Sequence, residues 1–197
     1  MDGLKKMAED KEIWVDGHIH FYNNFDPERF FGSLRHNFNR LSSEDAVRVL
    51  LFTEGKSADY FELFKANPEI YREAGYVFEA TEEKSSLLLR YNGEAVCHIV
   101  QGRQIVTAEN IEILSIGTSN IIPDGNIADD VLKELEKKKI PAVLAWGFGK
   151  WFSGRGKLVK RLISEFSPKG LLIGDNSGRP VFWGTPKLFR YASEKGF

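Results

Sequence analysis

Three side chains able to ligate a metal, Asp16, His18 and His20, fall at alternate positions of the stretch EIWVDGHIHFY, Glu12 to Tyr22. The whole sequence holds 4 histidines, so two of them in one strand-like segment is a concentration. Neutral imidazoles and a carboxylate suit zinc, manganese or iron, and histidines at i and i+2 of a strand can reach one ion. Read with period two, the stretch places Ile13, Val15, Ile19 and Phe21 on an apolar face and Trp14, Asp16, His18, His20 and Tyr22 on the other. A strand edge whose two histidines are simply hydrogen-bonded has the same pattern.

A second candidate chemistry lies in WGFGKWFSGRGK, Trp146 to Lys157, a glycine-rich, basic and aromatic loop that leads from a strand towards a helix. A helix amino end can hold an anion, and Lys150, Arg155 and Lys157 would add charge. It is not a phosphate-binding P-loop, because Leu158 follows the Gly156-Lys157 step and Trp151 stands where the first glycine belongs. The other reading is a flexible loop; Trp151 and Phe152 could line a substrate pocket or serve in packing. In GLLIGD, Asp175 would end a buried strand, where a carboxylate needs a metal, an arginine or backbone donors. Arg179 is the nearest cation in sequence, and an Asp175-Asn176 turn with its own hydrogen bonds would serve as well. His36 reads as a solvated helical residue and His98 as a structural one. Cys97 lies in an apolar strand that disfavours a thiolate, and no G-x-S-x-G serine motif is present.

The elements that must position these groups alternate from residue 13 onward. Short Val-, Ile- and Leu-rich runs predict strands at Ile13 to His20, Ala46 to Thr53, Glu94 to Gln101, Ile111 to Thr118, Ile140 to Gly147 and Gly170 to Asp175. Helical periodicity predicts helices at Pro27 to Asn37, Ala58 to Ala66, Ile127 to Lys139, Lys157 to Phe166 and Pro186 to Lys195, the last capped by Thr185 and ended by Gly196. This pattern is that of a parallel sheet or barrel crossed over by helices. Residues 75–101 differ, reading as successive strands with an Asn92-Gly93 hairpin signal, hence an antiparallel β-rich insertion.

At 197 residues with 42% hydrophobic content, one domain over 1–197 with a sizeable core is expected, preceded by a solvated lead-in over 1–11. The net charge of -1 offers no broad attraction for nucleic acid or anionic membrane. No run approaches the ~20 apolar residues of a membrane span. A single cysteine rules out an internal disulfide, and with no secretory signal in 1–11 a reducing cytoplasm is the expected compartment. Composition leaves the oligomeric state open.

The segment VDGHIH resembles the opening D-x-H-x-H motif of the PHP family, the polymerase-and-histidinol-phosphatase group of metal-dependent phosphoesterases. The resemblance covers most of residues 12–197. It implies a distorted (β/α)7 TIM-like barrel, incomplete at its carboxyl end because the family's closing G-S-D-x-H segment would follow YASEKGF. It also implies a divalent metal at Asp16, His18 and His20, with help from Glu54 and Asp175. The other family positions match in place more than in residue: Glu54 and Gly55 replace an aspartate and a histidine, Gln104 a bridging glutamate, and Trp146 a histidine. The implied activity is a phosphoester hydrolase with a reduced, mononuclear centre: Asp16 a ligand or base, Arg155 or Arg179 a clamp on the phosphoryl group, and Gln104, Trp146, Lys150 and Asn176 lining the substrate site. The alternative is an inactive module of the same scaffold that binds an anionic, phosphorylated small molecule, held by Arg103, Lys150, Arg155 or Arg179, or a protein partner.

Overall fold

A computed structural model describes residues 11–43, 45–147, 149–166, 168, 170–175, 179, 182 and 184–197. In chain order the elements are β1 (Ile13–Ile19), α1 (Pro27–Leu41), β2 (Val47–Glu54), α2 (Tyr60–Ala66), a 3-10 turn (Arg72–Ala74), β3 (Tyr76–Ala80), β4 (Ser86–Tyr91), β5 (Glu94–Val106), β6 (Glu112–Ile116), α3 (Ala128–Lys137), β7 (Ala142–Ala145), α4 (Gly154–Glu165), β8 (Leu171–Gly174) and α5 (Lys187–Glu194). They fall into two compact units, Met1–Gln101 and Gly102–Phe197, and β5 runs from the first into the second.

The (β/α)7 barrel expectation does not hold. The strands hydrogen-bond in the order β1-β2-β5-β6-β7-β8, with β4 on β5 and β3 on β4. β1/β2 and β7/β8 are parallel, whereas β3/β4, β4/β5, β5/β6 and β6/β7 are antiparallel. The physical reason lies in the connections. A parallel pair needs a crossover of about a dozen residues or more, which α1 and α4 supply, whereas β3 to β6 follow one another through short turns with no helix between them. Antiparallel pairing therefore extends past the expected insertion into β6, and β7 joins β6 antiparallel as well although α3 lies between them.

In the first unit α1 is fixed at its start by Asp26, whose carboxylate accepts the Arg29 N–H at 2.6 Å, with Pro27 in the first turn. It runs four residues further than predicted and buries Phe31, Leu34 and Phe38 along one stripe. Those residues meet Phe21, Leu50, Phe52, Phe61, Phe64, Tyr76 and Phe78 in a core made largely of rings. Phe64 stacks on Phe78 with centroids 4.4 Å apart, and Phe21 stacks on Phe31 at 5.7 Å. The Asn92-Gly93 signal is realised as a two-residue hairpin with both residues at positive φ, 49° and 89°. Gly75, at φ 85°, is required: a Cβ there would lie 2.6 Å from Asn92 Oδ1.

The second unit has an aliphatic core. Ile105, Ile111, Ile113, Leu144 and Leu171 from the strands pack against Val131, Leu132 and Leu135 of α3 and Val159, Leu162 and Ile163 of α4. The helix α4 begins at Gly154, three residues before the predicted start, and α5 begins after Pro186 without a side-chain cap from Thr185. Gly196 closes α5 at φ 88°, as its position suggests. Among the described residues, no helix is long and apolar enough to cross a membrane.

Candidate functional site

The β1 segment departs from its sequence pattern at one point. Its register against β2 runs Asp16↔Leu50 and then Ile19↔Phe52, so one extra residue is accommodated between them. A bulge of this kind reverses the phase of every later side chain. Trp14 and Ile19 consequently both pack on the ring core, with Phe21 buried inside it, while Ile13 and Val15 are 50% and 54% exposed. The expected apolar face of Ile13, Val15, Ile19 and Phe21 is thus split between the two sides of the strand. Past the bulge, His20 and Tyr22 alternate with Ile19 and Phe21, and their rings stack at 5.8 Å.

The structure brings His18 and His20 together: their Nε2 atoms are 3.1 Å apart, with rings edge to face at 4.9 Å. Asp16 turns its carboxylate onto the backbone N–H of His18, and its partial desolvation raises its pKa more than that hydrogen bond and the nearby His18 ring lower it. Whether these residues fit a metal depends on the donor set. A 3.1 Å spacing suits one ring N–H donating to the other ring nitrogen, and is also close to the ~3.0 Å that two bonds of about 2.1 Å to one ion span at a right angle. A hydrolytic centre takes three protein ligands and an open position. Among the described residues, no three His, Cys, Asp or Glu side chains are grouped so as to hold an ion. The two histidines by themselves offer two coordination positions.

Glu54 has another use. It sits at the end of β2, 1% exposed, and its Oε1 accepts the backbone N–H groups of Tyr60 and, at 3.3 Å, Phe61. These are orphan donors at the start of α2, where Asp59 makes no side-chain cap. The residue expected as a metal ligand is therefore the cap of a short helix whose Phe61 and Phe64 enter the core.

The remaining expected site residues belong to the second unit. Gln104 is half-buried on β5 opposite Leu114, and Trp146 is 3% exposed in the aliphatic core. Trp146 extends the strand pairing by donating its backbone N–H to Gly174 O at 2.8 Å, and it packs in the core rather than lining an open substrate site. Lys150 is ion-paired with Glu112, and Arg155 donates to Gly149 O at 2.7 Å. Arg179 donates to Asp175 at 2.8 Å, the pairing that the sequence suggested for a carboxylate at that strand end. Arg103 is buried. Trp151 is buried and stacks on Phe189 at 5.7 Å, which settles it as packing, while Phe152 is 47% exposed. Asn176 and residues 1–10 lie outside the described residues.

His36 is exposed on α1, as expected of a solvated histidine. His98 is half-buried with its Nδ1 unbonded, and burial holds its pKa below the usual histidine range. The Cys97 thiol is pushed up to about 12 by burial, in line with an inert core cysteine.

One feature of the first unit escaped sequence reading. A groove of about 490 Å³ opens between β1, the loop after it and α1. Asp16, Asn24, Arg29, Ser33 and Asn37 supply its polar lining, and Ile19, Phe25, Phe30 and Leu34 its apolar walls. Arg29, Ser33 and Asn37 recur every four residues beside the Phe30–Leu34 pair, so α1 presents a polar row and an apolar row side by side. That double row was the available signal.

No protein-family model matches this chain, and no curated protein or solved structure matches it.

Proposed function

We propose that the chain is a ligand-binding module whose D-x-H-x-H segment resembles that of the PHP family but stands without the family's phosphoesterase centre. The observation that supports this most directly is the use of Glu54: a carboxylate that caps a buried helix start is committed to the fold. Asp175 is bonded to Arg179, and neither Gln104 nor Trp146 brings a charge. Two of the three cations expected to hold an anionic ligand in the 146–157 loop have partners within the chain, Lys150 in Glu112 and Arg155 in Gly149 O. The β1–α1 groove is open by contrast and has the size of a small-molecule site. A reducing cytoplasm goes with this reading, in keeping with one buried free thiol.

The test is hydrolysis of p-nitrophenyl phosphate by purified chain supplied in turn with zinc, manganese and iron(II). The expected rate is that of the metal and buffer alone, unchanged by His18→Ala. Metal-dependent turnover that His18→Ala abolishes would overturn the proposal.

A second reading, a hydrolase with one ion, is favoured by the Nε2 spacing of His18 and His20.

A further inference from the structure

We infer that the β1–α1 groove takes a small zwitterionic ligand with an apolar body, of the class of an apolar α-amino acid, its ammonium towards Asp16 and its carboxylate towards Arg29. This deepens the binding-module reading and rests on it.

The charges carry the inference. Asp16 and Arg29 line the same groove with opposite signs. The Arg29 guanidinium makes no hydrogen bond, ion pair or ring contact with another described residue, unlike Lys150, Arg155, Arg161 and Arg179. Each carboxylate at the groove accepts one backbone N–H, Asp16 from His18 and Asp26 from Arg29, and Asp16 stands on β1 across from the Arg29 side of α1. A ligand bearing only a cation would leave Arg29 facing it. A ligand bearing only an anion would face Asp16. A zwitterion satisfies both, and a guanidinium fork matches a carboxylate with two parallel hydrogen bonds.

The walls set the rest of the ligand. Phe25 and Phe30 face the groove as a pair, 5.7 Å apart, and belong to the ring cluster that runs inward through Phe21. They offer an apolar surface backed by a packed core, so binding needs no reorganisation of the floor. The amides of Asn24 and Asn37 and the Ser33 hydroxyl give further donors and acceptors around the rim.

The experiment is a titration of the full chain, followed by ¹H–¹⁵N correlation spectra, with L-phenylalanine and L-leucine as probes. 2-Phenylethylamine and 3-phenylpropionate, each carrying one of the two charges, serve as controls. Saturable binding of at least one amino acid is expected, with shifts confined to Asp16–Asn37. Each half-ligand should bind at least about tenfold more weakly than L-phenylalanine if that is the amino acid bound, because it leaves one charge of the groove unanswered. Asp16→Asn and Arg29→Gln should each weaken binding by a similar factor. Ser33→Trp, on an exposed position of α1, should block the groove with an unchanged melting temperature. No saturable binding by either amino acid overturns the inference, as does equal binding of either half-ligand. The phosphoester assay decides the underlying reading separately: absence of turnover there with no binding here overturns this inference alone.

Discussion

The two units solve the same problem, a sheet covered by helices, with different materials. The first fills its core with rings, Phe21, Phe31, Phe52, Phe61, Phe64, Tyr76 and Phe78 among them, locked in edge-to-face and stacked contacts. The second uses Ile, Leu and Val, with Trp146 and Trp151 at its margin. Rings are large and directional, so a ring core is fixed in shape and difficult to repack, whereas aliphatic side chains close over a defect more readily. The ring cluster also reaches the surface at Phe25 and Phe30, where it becomes the floor of the groove. Packed rings thus lie under the candidate binding site, while in the basic loop of the second unit Lys150 is paired with Glu112 and Arg155 with Gly149 O.

The largest test of this contrast is a pair of truncations at fully buried positions. Phe64→Ala removes a ring that contacts Phe21, Phe31, Phe52, Tyr60, Tyr71 and Phe78, and should cost about 3–5 kcal/mol in urea unfolding. Leu144→Ala should fall in the lower part of about 2–5 kcal/mol, because its aliphatic surroundings can relax. A larger loss at Leu144 would break the comparison. A smaller effect is expected at the helix starts. Both units cap a helix with a glutamate from the chain before it, Glu54 for α2 and Glu109 for α3, whose carboxylate accepts the Ala128 N–H at 3.1 Å. Glu54→Ala, in a buried setting, should cost about 1–3 kcal/mol, and Glu109→Ala about 0.5–1 kcal/mol, by the same unfolding measurement. Equal costs would show that burial does not distinguish the two caps.

The elements themselves were legible in the sequence because their signals are local. Asp26-Pro27 opens α1, Asn92-Gly93 turns the β4–β5 hairpin and Gly196 ends α5, each through backbone chemistry confined to a few residues. Strand direction was not legible. The sequence α3-then-β7 reads like a parallel crossover, yet β6 and β7 pair antiparallel, and nothing local to either strand decides that. In the site, the convergence of His18 and His20 and the Asp175–Arg179 pair were readable from spacing. The bulge after Asp16 was hidden, since one extra residue leaves the composition of the strand unchanged while reversing its faces. Glu54 misled for a related reason: a carboxylate at a strand end is equally suited to an ion and to the N–H groups of a helix six residues on, and only the fold chooses between them.

The proposed reading is that the histidine segment stands without the phosphoesterase centre that its resemblance to the PHP family implies. The measurement that tests it most directly is the metal content of the chain purified without chelator, by elemental mass spectrometry, beside the His18→Ala, His20→Ala double variant. The account predicts no stoichiometric zinc, manganese or iron that depends on those two histidines. One or more such ions per chain, lost in the double variant, would contradict it and restore the metal-dependent hydrolase.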